Sequence, residues 1–114
     1  MENRGNTGFI SGIPELLILK LLQDREMYGY EIVQAIRAGT REVIALSEGV
    51  IYPLLHALEK DGALKSRRVP AGPRTRVYYT LTSRGVRRLF DLTDDWNRLN
   101  GAVAAVLRGG AHAG

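Results

Sequence analysis

Basic side chains are concentrated in one short segment of the chain. Between Lys60 and Phe90, nine lysines and arginines stand against one acid, Asp61, so the local balance is +8 in a chain whose net charge is +4. Clustering of this kind favours a surface that binds phosphate groups, whereas scattered cations only keep a protein hydrated. Five of the cations lie on two predicted strands and are candidate phosphate ligands: Lys65, Arg67, Arg68, Arg74 and Arg76.

The stretch SEGVIYPLLHALEKDG, just before this basic segment, predicts a helix with two different sides. Its apolar residues recur at i, i+3, i+4 and i+7 and predict a buried face: Ile51, Leu54, Leu55 and Leu58. Tyr52 and His56 fall on the opposite side, which should face water. A phenol is rigid and can donate a hydrogen bond to a phosphate or a base edge, so an outward Tyr52 is a candidate contact to a nucleic acid. Alternatively, Tyr52 and Pro53 only shape the start of the helix.

Pro53 leaves the start of this helix open. Proline inside a helix removes one amide hydrogen bond and clashes with the carbonyl four residues earlier, here that of Gly49, at a cost of about 3 kcal/mol. A start at Ser47 would let its hydroxyl cap the first free amides. A start nearer Gly49 would place Pro53 at the edge of the first turn. Both starts fit the sequence, and Gly62 is predicted to end the helix.

Other chemistries have little support. The chain has no cysteine, which excludes disulfides and thiolate metal sites. His56 and His112 are far apart in sequence, with no carboxylate cluster at ligand spacing, and GVRRL and GAVAA lack the lysine and spacing of a nucleotide-binding loop. We therefore expect no cofactor, no metal and no enzyme activity. The apolar run Leu16–Leu22 contains Lys20 and is too short for a membrane span, and no signal peptide is evident, so we expect a cytoplasmic protein.

The first part of the chain is predicted to form two helices before the one that carries Tyr52. Residues 1–12 are polar and Gly-rich and are expected to form a loose arm. Pro14 suits the first turn of a helix that runs to about Gln23. After the connection DREMYG, a second helix begins at Tyr30 and ends at Gly39, which would act as its C-terminal cap.

The second part of the chain changes from helical to strand periodicity and back. ALKSRRV and TRVYYTL alternate with period two on either side of the turn PAGPR and predict a hairpin. From Thr82, a suitable N-cap, a final helix is predicted to extend to about Arg108. The predicted fold is mainly α with a small β-hairpin, a winged helix-turn-helix followed by a C-terminal helix. Its parts are an N-terminal arm (1–12), the winged domain (13–81), a dimerisation helix (82–108) and a flexible tail (109–114).

The final helix carries an apolar stripe longer than its own domain needs. Seven residues cluster within about 100° around the helix: Leu89, Leu92, Trp96, Leu99, Val103, Val106 and Leu107. Val86 and Phe90 point away from this stripe. A helix of roughly 40 Å with an uncovered stripe is best buried against a second copy, so we predict a twofold dimer. The alternative is that the helix folds back along the first one.

Three motifs in order resemble the PadR-like transcriptional regulators: YGYEIVQAI, then GVIYPLLHALEKDG with ALKSRRV, then RVYYTLTSRG. The resemblance covers roughly residues 10–108 and corresponds to the short branch of the family, with one C-terminal helix. It implies a bacterial dimeric winged-helix repressor, often responsive to a small aromatic compound, that binds an inverted-repeat operator in double-stranded DNA. The implied recognition positions are Ser47, Gly49, Tyr52, Pro53 and His56, and the wing positions are the five cations above.

The resemblance also implies a ligand site on the stripe. Short-branch members can bind flat aromatic molecules at the dimer centre, and Trp96 is similar to the residue used for that. Leu99 would line such a pocket, and Asp95 beside it would favour a cationic ligand. Alternatively, Trp96 only packs in the dimer. For the whole protein, the alternative to a DNA reader is a winged-helix module that binds a protein partner.

Overall fold

The structure, a computed structural model, describes the backbone of residues 4–109 and the side chains of residues 12–109. Its elements in chain order are α1 (Arg4–Asp24), β1 (Met27–Tyr28), α2 (Gly29–Gly39), α3 (Glu48–Lys60), β2 (Leu64–Ala71), β3 (Arg74–Leu81) and α4 (Ser83–Leu107). The strands form one antiparallel sheet in the order β1-β3-β2. The predicted winged helix-turn-helix is confirmed, with α3 as its third helix and the β2–β3 hairpin as its wing.

A single hydrophobic core joins the first three helices to the sheet. Its largest fully buried side chains come from α1, α2 and α3: Ile18, Leu19, Ile32, Ile51 and Leu55. The inner face predicted for α3 is confirmed, because Ile51, Leu55 and Leu58 are buried and Leu54 is partly buried at its edge. The opposite side of α3 is therefore left to solvent.

α1 begins well before the position that the sequence indicated. The expectation of a loose arm is wrong for residues 4–12, which are helical, and residues 1–3 lie outside the described residues. Pro14 stands inside the helix, not in its first turn, and has no N–H to donate to the carbonyl four residues earlier. Glycines at positions 5, 8 and 12 lower helix propensity, which explains why the sequence concealed this start.

The turn between α2 and α3 is not made by a glycine. Gly39 is the last residue of α2 and is not in the left-handed conformation expected of a glycine cap. Arg41 and Glu42 take that conformation instead, with φ of 53° and 66°. The Arg37 guanidinium donates to Glu42 Oε1 from Nε at 3.0 Å and from Nη2 at 2.8 Å, which helps to hold the unfavourable backbone.

The wing hairpin is tighter than the sequence indicated. The five-residue turn PAGPR was expected, but Ala71 and Arg74 pair with each other, so only Gly72 and Pro73 form the loop. Gly72 has φ of +65°, and a left-handed glycine before a residue of negative φ fits a type II′ turn. Both strands therefore run the full length of the wing.

The DREMYG connection, expected to be irregular, contains the short strand β1. Met27 lies opposite Tyr79 and Tyr28 opposite Tyr78, so β3 is the central strand of the sheet. β1 spans only two residues. The wing beyond Tyr78 is consequently a two-stranded ribbon with no third strand beside it.

α3 ends as predicted at a glycine cap. Gly62 has φ of +87°, its N–H donates to the Glu59 carbonyl at 3.0 Å, and the Ala63 N–H donates to the Leu58 carbonyl at 2.9 Å. These two bonds form a Schellman motif, which satisfies carbonyls that the helix itself leaves free.

The start of α4 is joined to this same turn. Thr82 is the predicted N-cap, since its hydroxyl oxygen accepts from the Gly85 N–H at 3.1 Å. The same hydroxyl donates to the Gly62 carbonyl at 2.6 Å, and the Thr82 N–H donates to the Ala63 carbonyl at 3.1 Å. A Cβ at Gly85 would lie 2.1 Å from the Ala63 oxygen, so only glycine permits this contact. The end of α3 and the start of α4 are thus one unit.

The apolar stripe of α4 divides into a covered and an exposed half. Leu89 is buried, and Leu92 and Trp96 are partly buried. The later members of the stripe are exposed in the single chain, by 40% to 81%: Leu99, Val103, Val106 and Leu107. Val86 and Phe90, which were predicted to point away from the stripe, are 47% and 72% exposed. Residues 110–114 of the predicted tail lie outside the described residues.

Candidate nucleic-acid interface

α3 begins between the two starts that the sequence left open. Its first residue is Glu48, and Ser47 stands at the N-cap position with an extended backbone. The capping role expected of the Ser47 hydroxyl is wrong, because that side chain makes no cap hydrogen bond. The Ser47 carbonyl instead accepts from the Val50 and Ile51 N–H groups, both at 3.0 Å. Pro53 therefore lies in the second turn, where it cannot donate to the Gly49 carbonyl.

The solvent side of α3 presents small and polar groups. Four of the five predicted recognition positions are exposed: Ser47, Gly49, Pro53 and His56. The sequence missed Val50, which is 42% exposed on the same side, because an apolar residue next to Ile51 reads as core. A surface of low relief such as this suits close approach to another molecule.

Tyr52, the fifth position, lies against α2 and does not project into water. It is half-buried, and a Cβ at Gly29 would lie 2.5 Å from its Cε1 and Cζ atoms and 2.7 Å from its hydroxyl. The outward orientation predicted from helical spacing is therefore wrong for the body of the ring. Burial raises the pKa of Tyr52, and the Glu48 carboxylate adds to the rise. The hydroxyl remains protonated at neutral pH and is available as a hydrogen-bond donor.

An open cleft of about 640 Å³ separates the start of α3 from the wing. β1 contributes Tyr28, α2 contributes Tyr30, α3 contributes Glu48 and Tyr52, and β3 contributes Arg74 and Arg76. The sequence reasoning missed Tyr28 and Tyr30. The available signal was the YGY tripeptide at the start of the second helix, where the absence of a side chain at Gly29 leaves room for the Tyr52 ring.

The wing cations differ in their surroundings. Lys65, Arg68 and Arg74 form no ion pair within the described part of the chain. Arg67, in contrast, donates from Nε to Glu26 Oε2 at 2.9 Å and from Nη2 to Glu26 Oε1 at 2.5 Å. The hydrogen bond lowers the pKa of Glu26 and raises that of Arg67. Arg67 is thus already held by a carboxylate, unlike Lys65, Arg68 and Arg74.

Two further cations of the basic segment are also paired. Arg88 on α4 contacts the Glu15 carboxylate of α1 through Nε and donates from Nη1 to Asp61 at 3.2 Å. Arg84 lies 3.6 Å from Asp61. These pairs join α1, the end of α3 and α4, so the local excess of positive charge is smaller than the sequence count and is concentrated on the wing.

Aromatic rings and guanidinium groups alternate on the face of the sheet that carries Arg67. Arg67 lies 5.5 Å from the Tyr78 ring centroid, and Arg76 lies 4.5 Å from that of Tyr28. The two rings meet edge to face, with centroids 5.4 Å apart and planes at 74°. This row of contacts runs from the connection after α1 to the outer part of the wing.

The fold and the interface together define a class of protein. A third helix with an exposed small-residue side and a cation-bearing hairpin across an open cleft is the arrangement of a winged helix-turn-helix DNA-binding protein. Within residues 4–109 no group of three His, Asp or Glu side chains could hold a metal ion. In the same range, no helix combines the length and the hydropathy that crossing a membrane requires.

The chain belongs to the Transcriptional regulator PadR-like family, whose sequence profile matches residues 18–91. It is 34% identical over 97 residues to Transcriptional regulator Rv3488 of Mycobacterium tuberculosis, and the match covers 85% of each protein. These findings confirm the resemblance seen in the three sequence motifs. Members of this family are transcription regulators, not enzymes, and this chain is a PadR-family transcriptional regulator.

Solved structures show the same fold. A PadR family transcription regulator from Clostridium difficile R20291 is 28% identical, with a TM-score of 0.72 over 82% of this chain and 97% of that one. Bacillus subtilis PadR, solved in complex with operator DNA, is 29% identical, with a TM-score of 0.65 over 69% of this chain and 45% of that one. One structural neighbour of this chain has therefore been solved bound to operator DNA.

Proposed function

We propose that this regulator is a repressor that binds an inverted-repeat operator as a homodimer. The observation that carries the proposal is that the start of α3 and the outer part of β3 border one cleft, with Tyr52 on one side and Arg74 on the other. A third helix in the major groove would then bring the wing to the neighbouring phosphate backbone. The likeness to Bacillus subtilis PadR, which was solved in complex with operator DNA, supports an operator as the binding partner.

The two parts of the interface have different roles in this proposal. Gly49, Pro53 and His56 are exposed on α3 and would approach base edges, where sequence is read. The wing cations with no ion pair, Lys65, Arg68 and Arg74, would contact phosphates, which contribute affinity without sequence preference. Tyr52, at the edge of the cleft, would donate a hydrogen bond from its hydroxyl to the DNA backbone.

The exposed half of the α4 stripe supports the proposed dimer. Leu99, Val103, Val106 and Leu107 occupy one side of the last turns and are exposed in the single chain. A second copy packed along this side would bury them around a twofold axis. Two α3 helices would then read inverted half-sites whose centres are about 34–36 Å apart, one turn of duplex, or a multiple of that distance.

A small aromatic effector is part of the proposal. Trp96 is partly buried where the covered half of the stripe meets the exposed half, next to Leu99, and Asp95 beside it is exposed. A dimer would place two such tryptophans near its centre, where a flat ligand could stack. The ligand would release DNA only by binding the DNA-competent and DNA-incompetent dimers with different affinities. Titration of Trp96 fluorescence with flat aromatic cations and phenolic acids tests this, and absence of quenching would mean that Trp96 only packs.

A gel-shift assay with the DNA upstream of the protein's own gene tests the main proposal. We expect a retarded band at concentrations where a random duplex of equal length is not bound, and a steep loss of affinity with added salt. Equal binding to both duplexes would instead support a winged-helix module that binds a protein partner. In this proposal repression takes place on the chromosome in the cytoplasm. It is tested by comparing transcription from that DNA in vitro with and without the regulator.

A further inference from the structure

We propose that Glu26 is a positioning residue for DNA binding, one that fixes the orientation of the wing through its ion pair with Arg67. The proposal rests on the proposed function, operator binding, and adds to it a residue that touches no DNA. Glu26 lies between α1 and β1, and Arg67 lies on β2, 41 residues later in the chain. The pair therefore joins the body of the domain to the wing.

The pair is placed where the wing loses its other support. Arg67 lies opposite Tyr78, and Tyr78 lies opposite Tyr28, the last residue of β1. Below this level the sheet has three strands; above it, only the ribbon formed by residues 68–77 remains. A two-stranded ribbon alone is marginally stable in water, so its direction depends on contacts at its base.

The geometry of the pair suits this role. Both carboxylate oxygens of Glu26 accept from the Arg67 guanidinium, one from Nε and one from Nη2. Two parallel bonds fix the direction of the guanidinium plane as well as its distance. On the opposite face of the sheet the Ser66 hydroxyl donates to Glu59 Oε2 of α3 at 2.6 Å. The base of the wing is thus held on both faces, to the α1–β1 connection on one and to α3 on the other.

The row of aromatic and cationic groups extends the restraint imposed by the Glu26–Arg67 pair towards the outer part of the wing. Arg67 lies over Tyr78, Tyr78 meets Tyr28 edge to face, and Arg76 lies over Tyr28. Arg76 is on the unsupported part of β3 and lines the cleft together with Arg74. By fixing the direction of the wing, Glu26 therefore also positions the cations proposed to contact phosphate.

The sign of the effect distinguishes positioning from simple electrostatics. Replacing Glu26 by glutamine removes a negative charge close to the wing, which by charge alone should strengthen binding to DNA. If Glu26 positions the wing, the same replacement should weaken binding. Asp24 provides a matched control: it is an exposed acid two residues away, and its contact is with Lys20 within α1, at 3.7 Å.

The experiment measures operator affinity of Glu26→Gln, Asp24→Asn and wild type. We expect Glu26→Gln to bind roughly three- to fivefold more weakly, the scale of an exposed ion pair, and Asp24→Asn to bind equally or slightly more tightly. The exchange variant Glu26→Arg with Arg67→Glu keeps the net charge and should recover most of the affinity that Arg67→Glu alone loses. Tighter binding by Glu26→Gln, or no recovery in the exchange variant, would overturn the proposal.

Hydrogen exchange of the DNA-free protein separates this proposal from the proposed function. The amides of the non-proline residues between 68 and 76 should exchange several-fold faster in Glu26→Gln than in wild type or Asp24→Asn, while those of α3 are unchanged. Unchanged wing amides would refute the positioning role even if operator binding is intact. If the wild type itself fails to prefer the operator, operator binding is refuted, and the exchange result alone then shows that the pair fixes the wing without serving DNA recognition.

Discussion

The ring of Tyr52 on α3 lies so close to Gly29 at the start of α2 that a single methyl group would not fit between them. The Cβ of an alanine at position 29 would be 2.5 Å from two ring carbons. The start of α2 and α3 are therefore in contact at the edge of the cleft, and the position of Tyr52 depends on the absence of a side chain at Gly29.

We predict that Gly29→Ala displaces Tyr52 and destabilises the domain. Overpacking at a buried position costs about 1–3 kcal/mol, and the displaced ring should also weaken operator binding. Gly39→Ala is the matched control, because a Cβ there meets nothing within 4 Å and alanine favours a helix. Thermal denaturation of both variants checks this. Equal stability of the two would mean that the ring moves aside at no cost.

Tyr52→Phe should impair operator binding with little loss of stability. The variant keeps the ring against Gly29 and removes only the hydroxyl, which is the proposed donor to the DNA backbone. Tyr79→Phe makes the same change at a residue that is 3% exposed and does not line the cleft, so it should leave DNA binding unaffected. Melting curves and gel shifts of both variants distinguish a role in DNA binding from a role in folding. A lowered melting temperature with normal binding would place the Tyr52 hydroxyl in folding and not in recognition.

Arg74→Ala should reduce affinity for all duplexes and lower the salt dependence. Arg74 forms no ion pair in the described residues and lines the cleft, so its loss should remove one phosphate contact and reduce the log–log salt slope by roughly 0.9. Arg87→Ala removes the same charge from an exposed position of α4 and should leave the slope unchanged. Binding measured at several salt concentrations provides the comparison. An unaltered slope for Arg74→Ala would argue against a wing that faces DNA.

Charge placed on the exposed stripe should separate the subunits. Val103→Glu with Leu107→Glu should give a folded monomer that binds the operator weakly, since both side chains are at least half exposed in the single chain. Arg98→Glu alters charge on the same helix away from the stripe and should leave the dimer intact. Sedimentation gives the molecular mass of each variant. A double variant that remains dimeric would place the interface elsewhere.

The Glu26–Arg67 pair should weaken in acid. Its hydrogen bond holds the pKa of Glu26 below the ordinary value of 4.5, so protonated Glu26 is favoured in the unfolded chain more than in the folded one. The stabilisation from the pair is therefore fully present above pH 4.5 and is lost as the pH falls through the lowered pKa. Carbon NMR titration of the Glu26 carboxyl measures this. Titration at the ordinary value would show that the pair does not persist in solution.

Local sequence patterns were sufficient wherever one element determines its own structure. The spacing of Ile51, Leu55 and Leu58 predicted the buried face of α3, and Gly62 and Thr82 marked the end of α3 and the start of α4. Each of these depends on residues within one or two turns. Periodicity and capping contain that information directly.

Contacts between distant residues could not be predicted in this way. Tyr52 was placed in water because helical spacing says nothing of Gly29, which is 23 positions away in sequence and belongs to another helix. Arg67 was counted as a free cation because Glu26 approaches it only after β1 joins the sheet. Strand β1 itself, two residues long, is too short to show any period.

The junction at Thr82 makes α4 a lever whose short end is α3. α4 has 25 residues and is therefore about 37 Å long, and its first residues are bonded directly to the turn that ends α3. A tilt of about 10° around that junction moves the far end of α4 by about 6 Å, and moving the far end by that distance tilts the junction by the same angle. In the proposed dimer, a small change in how the two far ends cross would therefore change the separation of the two α3 helices. An effector bound near Trp96 would therefore alter the fit to an operator, whose half-site spacing is fixed by the helical repeat of the duplex, without touching the DNA.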